Sequence, residues 1–363
     1  MLFVLDSSIL CSNFHMTGPS FEILRRIGTI VIPEIVYDEV CNKYRELLVK
    51  HKESLFKVTN DISRLTQKDI KISFDESMIE EEYKKYVDFL DMFIIESGMT
   101  IPEPYPQIKH KDIVARALQR KKPFKSDGST GYRDYLLWCT CLNIARQYSS
   151  EEIHFITNNT KDFSDANKSD VLHPDLQYDL TKLDIGSTRF HYWCSLNNFI
   201  DQYAAAISKR IDDVEKMKES IQHNSQGFIN PVYDYINSTC CGINLQDYDV
   251  FAPGHNLLLK RIDDIISLGI DEIISVDNDL LLEINVECIG IVESRVDDAE
   301  IKELKDLEEE FDFVIAQRIG TEAILHTTMG LKIQIRALYN SDKNEIKSIE
   351  ITDIEDYYCP YCP

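Results

Sequence analysis

The chain opens on Met1-Leu-Phe-Val-Leu-Asp-Ser-Ser-Ile9, and the reading of these nine residues decides the fold. Leu2 to Leu5 form an unbroken apolar run, the pattern of a short strand buried on both faces of a parallel sheet. The run stops at a carboxylate, Asp6, followed by two small hydroxyl residues, Ser7 and Ser8. In open α/β sheets the ligand crevice lies beyond the carboxyl ends of the strands, so an acid here points into it. Asp is also a good N-cap for a following helix, and Asp6 taken alone reads as a cap.

The same texture recurs further along. Phe21 to Ile27 reads as a short helix, and Ile30 to Ile32 as a second buried strand closed by Pro33. Glu34 to Val49 carries Ile35, Val36, Val40, Leu47 and Leu48 at helical spacing, with Pro33 at its first turn, where a missing N–H costs nothing. A helix is predicted from Gly131 to Tyr148, and Asp134 stands in its first turn, where the helix dipole favours negative charge. Ile153 to Ile156 forms the third apolar run, stopping at Thr157, and Arg189 to Cys194 predicts a fourth strand. Strand–helix alternation over 1–200 implies an α/β fold, a doubly wound parallel sheet flanked by helices, with right-handed crossovers.

Residues 50–105 read as a helical insertion that includes a packing helix from Ile79 to Phe93, followed by a basic helix from Asp112 to Arg120. Ser195 to His223 reads as one long connecting helix. Beyond it Ile284–Val292, Glu322–Thr328, Leu331–Ala337 and Lys347–Thr352 largely alternate apolar with polar residues, the signature of antiparallel strands with one exposed face. The expected organisation is an α/β domain over 1–195, a connecting segment over 196–225, and a separate α+β domain over 226–363.

The net charge of −23 over 363 residues disfavours a polyanionic partner, since phosphate binding wants a basic surface. The charge is uneven, however. Residues 1–200 hold 25 basic against 29 acidic residues, and the remaining 163 hold 14 against 33. Between Lys109 and Arg133 lies a basic stretch that includes Lys111, Arg116, Arg120, Lys121, Lys122 and Lys125. The N-terminal part therefore admits a polyanion at one place, and the acidic C-terminal part is expected to bind a protein partner or a second copy of itself. No apolar run approaches the roughly 20 residues that span a bilayer. The opening run is short and lacks a basic lead-in, so it is read as a strand and not as a signal peptide. The ten cysteines read as reduced thiols of a cytoplasmic protein. Cys359 and Cys362 form a CxxC pair, which with Cys240 and Cys241 is a weak zinc candidate because a structural site needs four ligands.

Four carboxylates converge in this reading: Asp6 after the first strand, Glu39 in the helix after the second, Asp134 before the third and Asp162 after it. Each alone reads as a cap or a solvated acid. Together at one sheet edge they repel one another unless a cation neutralises them, and oxygen-only ligands suit Mg²⁺ or Mn²⁺.

The segments Phe3-Val-Leu-Asp-Ser-Ser8, Ile32-Pro-Glu-Ile-Val-Tyr-Asp-Glu39, Gly131-Tyr-Arg-Asp134 and Phe155-Ile-Thr-Asn-Asn-Thr-Lys-Asp-Phe163 resemble those of the PIN-domain nucleases, in the same order, over roughly 1–195. The resemblance implies a metal-dependent ribonuclease in which Asp6, Glu39, Asp134 and Asp162 hold one or two Mg²⁺ or Mn²⁺ ions. It further implies that Ser7 or Ser8, and Thr157 or Asn158, support the site. One position departs: many relatives carry Asp where Asn159 stands, so this site has one negative charge fewer.

The expected activity is endoribonuclease hydrolysis by metal-activated water, with Arg116, Arg120, Lys121, Lys122, Lys125 and Arg133 holding RNA, in a toxin or defence effector regulated through its C-terminal domain. The alternatives are a catalytically degenerate scaffold module, to which the acidity and Asn159 point, and a structure-specific DNA nuclease sharing the same site chemistry.

Overall fold

The structure is a computed structural model that describes residues 1–68, 74–96, 105–125, 127–207, 214–297, 300–301 and 312–357. The chain divides into two compact units, Met1–Asp201 and Gln202–Pro363.

In the first unit, β1 (Leu2–Leu5), β2 (Thr29–Val31), β3 (Ile153–Ile156) and the later strand β6 (Phe190–Trp193) form an all-parallel sheet in the order β2-β1-β3-β6. All four residues of β1 are buried, as are all four of β3, which explains the continuous apolar runs. Register pairs Leu5 with Ile156, and the ladder continues one step further: Asp6 N–H donates to the Ile156 carbonyl at 3.0 Å and Thr157 N–H to that of Trp193 at 3.1 Å. Asp6 and Thr157 are thus neighbours at the carboxyl edge of the sheet.

Helices α1 (Ser7–Ser12) and α2 (Pro19–Ile27) connect β1 to β2, and α3 (Glu34–Thr66) follows β2. The expected end of α3 at Val49 is corrected: the helix runs on for 33 residues in all. Nothing between Glu34 and Thr66 is Gly or Pro, so no residue breaks it. Its extension pairs with α4 (Glu76–Glu96) through the stacked rings of Tyr44 and Tyr86, 4.0 Å apart, and through the ion pairs Arg45–Glu80 and Lys52–Glu76. The insertion is therefore a helical hairpin built on α3. The basic helix α5 occupies His110–Leu118, and α6 (Tyr132–Gln147) packs Leu136, Leu137, Trp138 and Cys141 into the core.

After β3 come a one-turn helix α7 (Thr160–Phe163), a small hairpin of β4 (Ser164–Asp165) and β5 (Lys168–Leu172), and α8 (Pro174–Lys182). Of the single connecting helix expected over 195–223, the described residues show α9 (Leu196–Ile207) and α10 (Val214–Gln222), and 208–213 lie outside the described residues. They serve different units. Phe199 of α9 packs edge-on against Phe3 at 5.1 Å and Trp193 at 5.2 Å, whereas Ile221 of α10 joins the core of the second unit.

The second unit is an antiparallel sheet of β7 (His255–Val276), β8 (Asp279–Asp297), β9 (Asp312–Ile319), β10 (Glu322–Asn340) and β11 (Glu345–Tyr357). The path is β11-β10-β8-β7, and β9 and β11 pair successive halves of β10. A π-helical turn (Ser225–Ile229) and α11 (Asn230–Thr239) place Phe228, Val232 and Ile236 against Ile284, Val286, Leu331 and Ile333. The stretches read as two strands, 322–328 and 331–337, are one continuous strand. On β10 Arg336 is only 2% exposed and donates to Glu283 at 2.6 Å.

Gly131 precedes α6 with φ +111°, and a Cβ there would lie 2.5 Å from the Pro123 carbonyl oxygen. Gly131→Ala is expected to destabilise the first unit by on the order of 1–3 kcal/mol. Urea unfolding of the two proteins measures this.

Candidate active site

Asp6 occupies the N-cap position of α1, yet its side chain makes no capping bond to the helix backbone. It is 4% exposed and its oxygens accept from three hydroxyls instead: Thr157 Oγ1 at 2.6 Å, Ser8 Oγ at 2.7 Å and Ser7 Oγ at 3.3 Å. A carboxylate removed from water is costly unless such donors satisfy its oxygens. The hydroxyl oxygens are themselves held, Ser8 Oγ accepting from Asn158 N–H at 3.0 Å and Thr157 Oγ1 from Asn159 N–H at 2.9 Å. The loop after β3 is thereby tied to the end of β1.

Asn159 is the second fastening. Its Nδ2 donates to Asp134 Oδ1 and to Asp162 Oδ2, each at 3.1 Å, so one neutral amide spaces two carboxylates. Asp134 is nevertheless pushed up to about 6, first by burial and then by the charges of Asp162, Asp6 and Glu39. Glu39 is raised as well, by burial and by Asp6, against the opposing pull of the Ser7 hydroxyl and Arg133. Arg133 Nη1 lies 2.9 Å from Glu39 Oε1, and Lys122 Nζ lies 3.7 Å from Asp162 Oδ1.

A cleft of about 1030 Å³ brings Asp6, Ser7, Ser8, Glu39, Asp134 and Asn159 together with Arg133. Asp162 stands outside that lining, linked to it through Asn159. From the carboxylates the cleft runs along one face of α3, past Lys43, Glu46, Lys50 and Glu53, to Glu76 and Glu80 of α4. Those α3 positions recur at three- and four-residue steps from Glu39, so one helix face carries them all. That signal was present in the sequence, and only the premature end given to the helix hid it.

Of the six cations expected to hold RNA, Arg133 alone lines this cleft among the described residues. Arg116 is committed internally: Nη1 pairs with Asp179 at 2.7 Å, Nε donates to the Lys122 carbonyl at 2.7 Å, and the guanidinium lies 5.0 Å from the Tyr135 ring centre. Lys121 lies 5.8 Å from the Tyr178 ring centre, and Lys122 faces Asp162. Arg120 and Lys125 are exposed. The candidate pair Cys359 and Cys362 lies outside the described residues.

The donor set fits a hard divalent cation: it is all oxygen, and crowding already penalises its negative charge. Residues 4–163 match the PIN-domain family model, so the first unit is a PIN domain. PIN domains are generally nucleases that use divalent metals, and the matched span contains Asp6, Glu39, Asp134 and Asp162. No curated protein and no solved structure matched the chain. Among the described residues no helix is long and apolar enough to cross a membrane.

Because the folded state raises Asp134, ionising it costs stability. The cost is absent below its unfolded value near 4, grows as pH rises, and is complete above about 6. Metal-free Asp134→Asn is therefore expected to melt a few degrees above the parent at pH 7.5, with the gap closing towards pH 4. Calorimetric scans across this range test it.

Proposed function

We propose that the protein is a metal-dependent endoribonuclease whose cleft uses Asp6, Glu39 and Asp134, with Asp162 acting beside them, to hold Mg²⁺ or Mn²⁺. The observation that carries this reading is Asp6: a buried carboxylate at a helix start that forgoes the cap, accepts from three hydroxyls, and shares its cleft with Glu39 and Asp134. The bound ion supplies Lewis-acid activation of water and charge neutralisation at the scissile phosphate. The chain's own residues prepare that chemistry. Thr157 and Ser8 hold Asp6 as an acceptor, and Asn159 donates to both Asp134 and Asp162, holding the two repelling carboxylates in place. Arg133, 72% exposed at the cleft, exchanges Glu39 for a substrate phosphate. Lys43 and Lys50 extend this contact along α3, while the exposed Arg120 and Lys125 steer the polyanion from further out.

Attack by water, and not by a 2′-hydroxyl, leaves a 5′-phosphate and a 3′-hydroxyl. RNA cleavage with these ends is expected to require Mg²⁺ or Mn²⁺, and to fall at least about 100-fold in Asp6→Asn and in Asp134→Asn. Sequencing of RNA ends after exposure to each protein reads this out, and parent-level cleavage by either variant sinks the proposal. Lys50→Ala is expected to flatten the salt dependence of RNA binding by about one charge. Arg116→Ala should instead cost about 1.5–3 kcal/mol of stability, because it leaves the Asp179 carboxylate without its cation, held only by the Trp138 indole N–H among the described residues. Filter binding at several salt concentrations and urea unfolding separate the two effects.

A second reading is favoured by the pairs Arg133–Glu39 and Lys122–Asp162, which satisfy two of the acids internally. In it the domain is a degenerate scaffold, and calorimetry shows no Mn²⁺ binding near millimolar concentration. Flap DNA competing better than single-stranded RNA would move the substrate to DNA. The acidic second unit is read as the part that binds a protein partner or a second copy, the arrangement of a regulated toxin or defence effector.

A further inference from the structure

The parallel sheet carries a second group of ligating side chains, about 10 Å back along β3 from Thr157. Glu152 and His154 are two residues apart and share a face. His191 sits directly opposite His154 on the edge strand β6. The three offer ligand atoms that all lie within 4.8 Å of one another, with His154 Nε2 3.7 Å from Glu152 Oε2. His154 is 6% exposed, walled by Phe3 at 5.4 Å and Phe199 at 5.4 Å, and its Nε2 has no hydrogen-bond partner among the described residues. A buried polar atom left unpaired in an aromatic pocket is costly, and here it lies 3.7 Å from the Glu152 carboxylate with the His191 ring stacked alongside.

We propose that Glu152, His154 and His191 bind one zinc ion, separately from the carboxylate cleft. Two imidazoles and one carboxylate suit zinc, whereas Mg²⁺ and Mn²⁺ prefer the all-oxygen cleft. Three protein ligands leave the fourth position to water. The ion ties β6 to β3 and to the residue that leads into β3.

Two features of the metal-free arrangement oppose the ion, and both can be weighed. Trp193 Nε1 donates to His154 Nδ1 at 3.1 Å, which places the single ring proton of His154 on Nε2. Zinc binding moves that proton to Nδ1, with no net release, and gives up the bond from the indole. Losing one neutral hydrogen bond costs about tenfold in affinity, less than the loss of one of the three ligands. In addition the two imidazoles are stacked, 4.7 Å apart and 21° from parallel, so their ring planes do not meet at one point. His154 is held by its neighbours, so binding requires the half-buried His191 to turn its ring towards the shared ion.

The test is zinc titration of the full chain at pH 7.5 against a chromophoric chelator, with millimolar Mg²⁺ present to fill the cleft. Cobalt absorption provides a second readout, because four-coordinate nitrogen–oxygen sites absorb strongly and octahedral carboxylate sites weakly. One equivalent of zinc is expected in the parent and in Asp134→Asn. Affinity should fall at least about 10–100-fold in Glu152→Gln and His191→Ala, whose partly exposed positions tolerate replacement. Trp193→Phe should bind about tenfold more tightly, an effect that a purely structural role for the cluster would not produce. No zinc bound at micromolar concentration, undiminished affinity in His191→Ala, or zinc lost with Asp134→Asn in its place would overturn the site.

Discussion

The interaction on which the first unit depends is the bond from Thr157 Oγ1 to the Asp6 carboxylate, 2.6 Å long and fully inside the protein. It exists because two four-residue strands end in register, Leu5 beside Ile156, so that the next residue of each chain segment lands on the same sheet edge. A one-residue slip would turn Asp6 into the opposite layer and deprive it of all three hydroxyl donors. The parallel ladder is thus the ruler that sets where charge is placed, and its apolar side chains keep that charge out of bulk water.

Crowding follows from the same geometry. Asp6, Glu39, Asp134 and Asp162 arrive from four different elements, and partial burial raises the cost of their charges. The structure relieves the repulsion in three ways: hydroxyl donors to Asp6, one amide shared by Asp134 and Asp162, and single cations on Glu39 and Asp162. The relief is incomplete, since Asp134 stays near 6. Residual strain of this kind is what a divalent cation would remove, and it marks the cleft as the part of the fold that stability alone would not have chosen.

The second unit obeys a different rule. Its long antiparallel strands pack one face against Phe228, Val232 and Ile236, and most of the acids on β8 and β11 stand at partly exposed positions. Where a charge is buried, as with Arg336, it is paired with Glu283 and lies near Glu350.

Much of the first unit was legible because its signals are local. Continuous apolar runs in β1 and β3, the acid in the first turn of α6, and the order of the four acidic segments need no knowledge of distant contacts. The alternation in β8, β10 and β11 was legible for the same reason. Strand β7 was not, because five register shifts against β8 break its period of two and erase the pattern. The length of helix α3 was not legible because its apolar residues beyond Val49, Leu55, Phe56, Val58, Ile62 and Leu65, stay exposed and form no buried stripe. The role of the basic stretch was also beyond sequence reasoning. Composition counts Arg116 and Lys122 as cations, but only the fold reveals that Asp179 and Asp162 have already claimed them, while Lys43 and Lys50 face the cleft. The sequence by itself determined which residues are buried in the parallel sheet and which acids end its strands. Which charges meet one another was decided by tertiary structure, since electrostatic partners are set by distance in space and not along the chain.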